Sequence, residues 1–156
     1  RETKGGGIAD ESLNWSRMDL RGIDLSHQEI VRVEFLFVDA SFAQLRSCRF
    51  DKSSFYQSSI RNADASKSTF LTCRFENCNL ALAHFGLSHL NGVAFSECKA
   101  LQLNFDGTKF AKVIFGNTIL EETALSREQS ENCEFKRFIK HPIVGSVHRT
   151  ALSRPR

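Results

Sequence analysis

The side chains with the widest chemical repertoire in this 156-residue chain are five cysteines and five histidines. Thiolates attack electrophiles or bind zinc, paired thiols form disulfides, and imidazoles act as bases or metal ligands. Cys48, Cys73, Cys78, Cys98 and Cys133 are separated from one another by multiples of five residues, whereas His27, His84, His89, His141 and His148 are scattered. A zinc site needs ligands that converge, and a catalytic thiol needs an exposed sulfur beside a base. The sequence also lacks a Gly-rich phosphate loop, metal-type histidine spacing and a serine-hydrolase elbow. The expectation is a non-enzymatic chain with no catalytic residue, no metal and no cofactor.

The spacing of the cysteines belongs to a rule that runs through the chain. Every fifth position from Trp15 to Leu125 is apolar, through Leu20, Leu25, Ile30, Phe35 and Ala40 and onward to Phe110, Phe115 and Leu120. Two residues before most of these centres stands a small side chain, as at Ala43, Cys48, Ser53, Ser58, Ala63 and Ser68, with Leu13, Met18, Ile23, Gln28 and Leu103 as exceptions. An amphipathic helix would repeat at three and four residues and a strand at two, so neither template holds this register. A repeatedly bent chain does, with one large and one small side chain per five residues pointing inward. All five cysteines occupy the small inward position, where they act as compact core fillers. An odd number of buried thiols favours a cytoplasmic or otherwise reducing compartment.

Units such as Cys73-Arg74-Phe75-Glu76-Asn77, Cys78-Asn79-Leu80-Ala81-Leu82 and Ala63-Asp64-Ala65-Ser66-Lys67 resemble those of the pentapeptide-repeat family, from residue 13 nearly to the end. The resemblance implies an all-β fold, a right-handed quadrilateral parallel β-helix with four units and twenty residues per coil, about six coils in all. Ile114 and Ile119 depart from the family's polar position before the centre. Centres twenty apart read Trp15, Phe35, Phe55, Phe75, Phe95, Phe115 and Phe135, an aromatic ladder down one side. With coils about 4.8 Å apart, those rings are expected in offset stacks.

The expected organisation is a polar, loosely ordered leader over 1–12, the β-helix over 13–135, and a basic cap or tail over 136–156. For the C-terminal end two readings stand: one final irregular coil, or a capping box of Ser126 with Gln129 opening a helix from Arg127 to Lys140. Phe138 and Ile139 are the expected plug over the last coil. The tail holds Lys136, Arg137, Lys140, Arg149, Arg154 and Arg156 without an acid, so the net charge of +3 belongs to it. No apolar run is long enough to span a bilayer, and no signal-peptide pattern is present.

Function is then expected to reside on the surface. Wrapping the outward positions on a twenty-residue turn gathers Arg32, Arg46, Arg49, Lys52, Lys67, Lys109 and Lys112 on a basic side, with Glu29, Asp51 and Asp106 among them. The opposite region collects Asp19, Glu34, Asp39, Glu76 and Glu97 with Arg17, Arg74 and Lys99. Phe42, Leu82 and Leu101 fall near one corner, with Leu36 and Phe37 at the rim of an early coil, as candidate anchors for a protein partner. These features favour a rigid protein-interaction or spacer module. The family resemblance adds that such a module can be one domain of a larger bacterial protein, including secreted effectors that act in a host cytosol. It also raises the alternative of a DNA mimic that binds a type II topoisomerase, as in the family's quinolone-resistance group, although those present strongly acidic sides. A third alternative is weak nucleic-acid binding through the basic side and tail. The absence of aromatics interleaved with the cations disfavours it.

Overall fold

A computed structural model describes residues 7–8, 13–137 and 143–144. Its backbone obeys one rule from Arg17 to Glu122: every fifth residue has positive φ, between 46° and 72°. Only Gly22, Gly92 and Gly107 among these corners are glycines; elsewhere an L-residue accepts a conformation that costs about 1–2 kcal/mol. A bond to the next coil offsets that cost. From Arg17 to Gln102 each corner N–H donates to a carbonyl of the next coil, as Arg32 N to Asp51 O at 2.9 Å, Phe37 N to Tyr56 O at 3.0 Å and Thr72 N to Asn91 O at 2.9 Å. The strain is thus spent on keeping coils in register.

Four corners per turn give four faces. The first carries seven parallel strands, Leu13–Ser16, Val33–Leu36, Ser54–Tyr56, Arg74–Glu76, Ala94–Ser96, Val113–Gly116 and Cys133–Lys136. The fourth carries six, Gly7–Ile8, Glu29–Val31, Arg49–Asp51, Thr69–Leu71, His89–Asn91 and Lys109–Ala111. On the second and third faces the coils meet through single parallel bridges, one column running from Asp19 and Asp39 to Ile119 and the other from Asp24 to Asn104. Between Leu13 and Lys136 partners are twenty residues apart, so Phe55 lies on Phe75 and Phe75 on Phe95.

Large centres and small companions fill the tube. Ring centroids on the first face are 4.4 Å apart for Phe35 and Phe55, 4.9 Å for Phe55 and Phe75, and 5.0 Å for both Phe75–Phe95 and Phe95–Phe115, with planes within 10° of parallel. Phe135 extends the stack at 5.6 Å from Phe115. Trp15 departs from it, meeting Phe35 edge-on at 77°, a geometry that the ring quadrupole also favours. The small position is more than filler. Cys48 N donates to Ser68 Oγ at 2.9 Å, and that hydroxyl donates to Leu45 O at 2.7 Å; Ser53, Ser58, Thr118 and Thr123 make equivalent clamps. Cys73, Cys78 and Cys98 point their thiols at the corresponding carbonyls of Phe50, Phe55 and Phe75.

The C-terminal end combines the two readings of the sequence. Ser126 and Gln129 form the capping box, but the helix spans only Arg127–Glu131, not the stretch to Lys140. Asn132 ends it, and Cys133–Lys136 returns to the first face because pairing with Val113–Gly116 and stacking of Phe135 on Phe115 satisfy backbone and ring together. Gln129 is buried and its Nε2 donates to Phe105 O at 2.8 Å and Thr108 O at 2.7 Å. One amide thereby does for two carbonyls what another coil would have done.

Strand pairing also reaches into both segments set apart by composition. Gly7–Ile8 pairs with Glu29–Ile30, and Ile143–Val144 with Ala124–Leu125. Parallel pairing asks only for backbone groups, which is why polar flanks can join a ladder. Phe138 and Ile139 lie outside the described residues. Replacing Ser68 by Ala strands the Cys48 N–H and the Leu45 carbonyl, so urea unfolding should show a loss of about 1–3 kcal/mol, and Ser68→Thr should retain most of it.

Candidate interaction surface

The thiols of Cys48, Cys73, Cys78 and Cys98 are buried, and Cys133 is partly so. Burial pushes the Cys73 thiol up to about 11 and Cys133 to about 12, and raises Cys48 as well. Contact with the Cys78 sulfur, and then burial, raise Cys98. All five cysteines are free. His27, His84 and His89 are exposed on separate corners and faces, and His84 is held by the side chain of Asn104 at 3.2 Å. Among the described residues no three His, Cys, Asp or Glu groups come together. A cleft lies where the helix replaces a coil, lined by Phe105, Phe110, Leu125, Glu128 and Gln129. Its Gln129 amide is already committed to backbone.

The outward positions flank each centre, and the corners display them most fully. Phe42 is 56% exposed and shares the corner between the second and third faces with Leu82, two coils further on. Leu82 N donates to Leu101 O at 2.9 Å, so Leu82 and Leu101 sit on adjoining strands of chain. Leu82 and Leu101 are therefore neighbours, and Asn62 separates them from Phe42 along the column. Phe37 stands apart, on the corner between the first and second faces. The Arg17 guanidinium lies 4.7 Å from its ring centroid and Tyr56 meets it edge-on at 5.9 Å. Leu36 is half-buried beside it. Leu87 is 61% exposed at the corner between the third and fourth faces, and Met18 is exposed on the first coil. Neither was singled out from sequence, although Leu87 holds the same corner position as Leu82 and the same rule finds it.

The cations of the basic side are spread over four neighbouring columns. Arg32, Lys52 and Lys112 share the corner between the fourth and first faces, Arg49 and Lys109 lie on the fourth face, Lys67 on the corner before it, and Arg46 on the third face. Arg49 sits between Glu29 at 3.8 Å and Asp51 at 3.7 Å, and Arg46 is 3.6 Å from Asp64. The helix and the strand that follows it add carboxylates beside these cations. Glu128 shares a cleft with Lys109, and Glu131 and Glu134 line a depression with Lys112. On the other side Arg21 and Arg61 join Arg17, Arg74 and Lys99 among the acids, and Arg21 lies 2.7 Å from Asp19, whose carboxyl it holds at about 2. Both sides thus carry mixed charge.

Residues 68–139 match a family model described as a pentapeptide repeat region. Among solved structures, a pentapeptide repeat protein (Rfr23) of the cyanobacterium Cyanothece 51142 is similar at a TM-score of 0.60 and 16% identity, over 69% of this chain and 84% of that one. A pentapeptide repeat protein of the Arabidopsis thaliana thylakoid lumen is similar at 0.50 and 18%, over 65% and 67%. QnrB1, a plasmid-mediated fluoroquinolone resistance protein, aligns over 94% of this chain and 90% of its own at 14% identity and a TM-score of 0.49. At these identities the likeness is one of fold. No curated protein sequence matches the chain.

The raised thiols make stability depend on alkaline pH. The Cys73 thiol ionises near 9 when unfolded and about 11 when folded, so between those values the unfolded chain binds fewer protons and stability falls as pH rises. Urea unfolding should show a plateau below about pH 8 and a decline of at most about 1.4 kcal/mol per pH unit for each such thiol. Cys73→Ser, which keeps a donor at that place, should make the decline shallower.

Proposed function

Because the chain is a pentapeptide-repeat β-helix, with its cysteines turned inward and large apolar side chains displayed at or beside its corners, we propose that it serves as a rigid, non-enzymatic protein-interaction or spacer module. The observation that carries this reading is the display of Phe42, Leu82 and Leu101 on a backbone whose every turn is tied to the next. Apolar side chains held out in this way lose little conformational freedom on docking, which is the main saving a preorganised surface offers. The five free thiols fit a reducing compartment, and no helix among the described residues is long and apolar enough to cross a membrane.

Charge argues against the two nucleic-acid alternatives. A topoisomerase-binding DNA mimic calls for a sustained row of carboxylates, whereas Asp19, Glu34, Asp39 and Glu76 alternate here with Arg17, Arg21, Arg61 and Arg74. Direct binding to nucleic acid calls for cations free of nearby acids, and the corresponding side pairs Arg49 and Arg46 with carboxylates.

Chemical crosslinking in a host extract, read by mass spectrometry, tests the module. A partner joined to the parent should be recovered about thirtyfold less with Phe42→Asp or Leu82→Asp, in keeping with the roughly 2 kcal/mol of an interface anchor. Both variants should keep the parent's circular dichroism, since Asp tolerates positive φ. Equal recovery from parent and variants counts against this corner.

A further inference from the structure

The fourth face carries an open strand edge beside the capping helix. In a parallel ladder one residue sends both its N–H and its C=O to one neighbouring strand, and the next residue sends both to the other. Lys109 N donates to Ser88 O at 2.9 Å and Ala111 O accepts from Gly92 N at 2.9 Å, so these two face the preceding coil and Phe110 faces the opposite way. One coil earlier, Leu90 is answered in that direction by the strand Lys109–Ala111 itself. Phe110 has no such strand, because Lys109–Ala111 ends the six-stranded ladder among the described residues. Gly107 is in the same state. Leu87, one coil before it in that corner column, donates to Asp106 O at 2.9 Å, whereas no carbonyl of the described residues accepts from Gly107 N. Gln129 closes the carbonyls of Phe105 and Thr108 and leaves these donors untouched. All of them line a cleft of about 600 Å³ whose apolar wall is Phe105, Phe110 and Leu125. Phe110 is 7% exposed, against 0% for Phe50 and 1% for Phe70, the same centre with a further strand beside it.

From this edge we infer that the cleft takes up an extended segment of a partner polypeptide, which adds a strand parallel to Lys109–Ala111. Three features select that occupant. The first is backbone chemistry. The Gly107 N–H, the Phe110 N–H and the Phe110 C=O stand in a row along one strand edge, a set that another extended backbone answers in register. In the register of the earlier coils, the residue before an anchor gives its C=O to Phe110 N–H, and the residue after it gives its N–H to Phe110 C=O. The anchor between them then points inward onto the Phe110 ring, so it must be apolar. The second feature is charge. Asp106 and Glu128 line the cleft with Lys109 as its one cation, which disfavours a polyanion or a lone phosphate. The third is shape. The flanking faces rise past this level, the first to Cys133–Lys136 and the third to Ile143–Val144. A second solenoid is held off the recessed edge by those steps, whereas a single strand fits between them. This surface is not the Phe42 corner, and either can fail without the other.

The test is amide hydrogen exchange and chemical-shift titration of the isotope-labelled full chain with the capped peptide acetyl-Thr-Ser-Thr-Ile-Thr-Ser-Thr-amide. In the free chain the Gly107 and Phe110 amides should exchange at least a hundredfold faster than those of Phe70 and Leu90. Saturating peptide should slow both at least tenfold, with shifts centred on Gly107, Lys109 and Phe110. The same peptide N-methylated at the residue after Ile cannot donate to Phe110 C=O and should bind at least tenfold more weakly, as should the peptide with Asp in place of Ile. Ala124→Trp, at an exposed position in the cleft wall, should weaken binding at least tenfold while keeping the parent's circular dichroism. A Phe110 amide as protected as Phe70 in the free chain would overturn the proposal, because the chain would then cover its own edge. So would no saturable shift at millimolar peptide, or equal affinity for the N-methylated peptide. Peptide binding that survives in Phe42→Asp supports a separate surface, and binding lost there overturns it.

Discussion

Everything in the molecule depends on the left-handed corner that recurs at every fifth residue. Each such corner turns the chain by about a quarter of a circuit, and from Arg17 to Gln102 each aims its N–H at a carbonyl one coil away, as in Arg32 to Asp51 and Asn77 to Ser96. Corner strain and axial hydrogen bonding are two aspects of one arrangement. A residue such as Thr72, β-branched and at φ 54°, would not hold that conformation in an isolated peptide. It does so here because the bond to Asn91 exists only with the corner in place.

With the coils locked at one spacing, side-chain identity repeats in three dimensions. A centre meets the centre twenty residues later, so Phe50 lies 4.6 Å from Phe70 as Phe55 does from Phe75 at 4.9 Å. Where the third face brings in Phe85, its ring meets Phe75 and Phe95 edge-on, tying neighbouring stacks across the interior. The hydroxyl and thiol companions handle the polar backbone that such a narrow tube would otherwise bury unpaired. Packing and hydrogen bonding therefore share the same five-residue clock, and surface chemistry inherits it.

That clock is what made the fold legible in the chain. The inward places of Phe55, Phe75 and Ser68, and the outward place of Leu82, all follow from position within a unit. The ends were harder because they break the clock. A helix from Arg127 to Lys140 and a return to the first face compete over the same residues, and the choice turned on Phe135 finding Phe115 beneath it, a contact twenty residues away that local propensity does not contain. Pairing of Gly7–Ile8 comes with an offset of 22 residues from Glu29–Ile30 rather than twenty, so counting in fives passes over it. The surface was legible by column but not by neighbour. Sequence placed Lys109 and Lys112 together, yet Glu128 and Glu131 reached them only through a helix that had replaced a coil.

The solenoid does not end on one level. Among the described residues the last strand of the fourth face is Lys109–Ala111, near which Gln129 closes carbonyls with a side chain; the first continues to Cys133–Lys136; the third gains Ile143–Val144. A rod cut square would expose four open edges in one plane, a template on which an identical rod could continue coil by coil into a fibre. A stepped terminus denies an incoming copy that common plane, since matching one ladder leaves the others out of reach. The staggering among the described residues thus works against end-to-end growth, and a single glutamine stands at its first step.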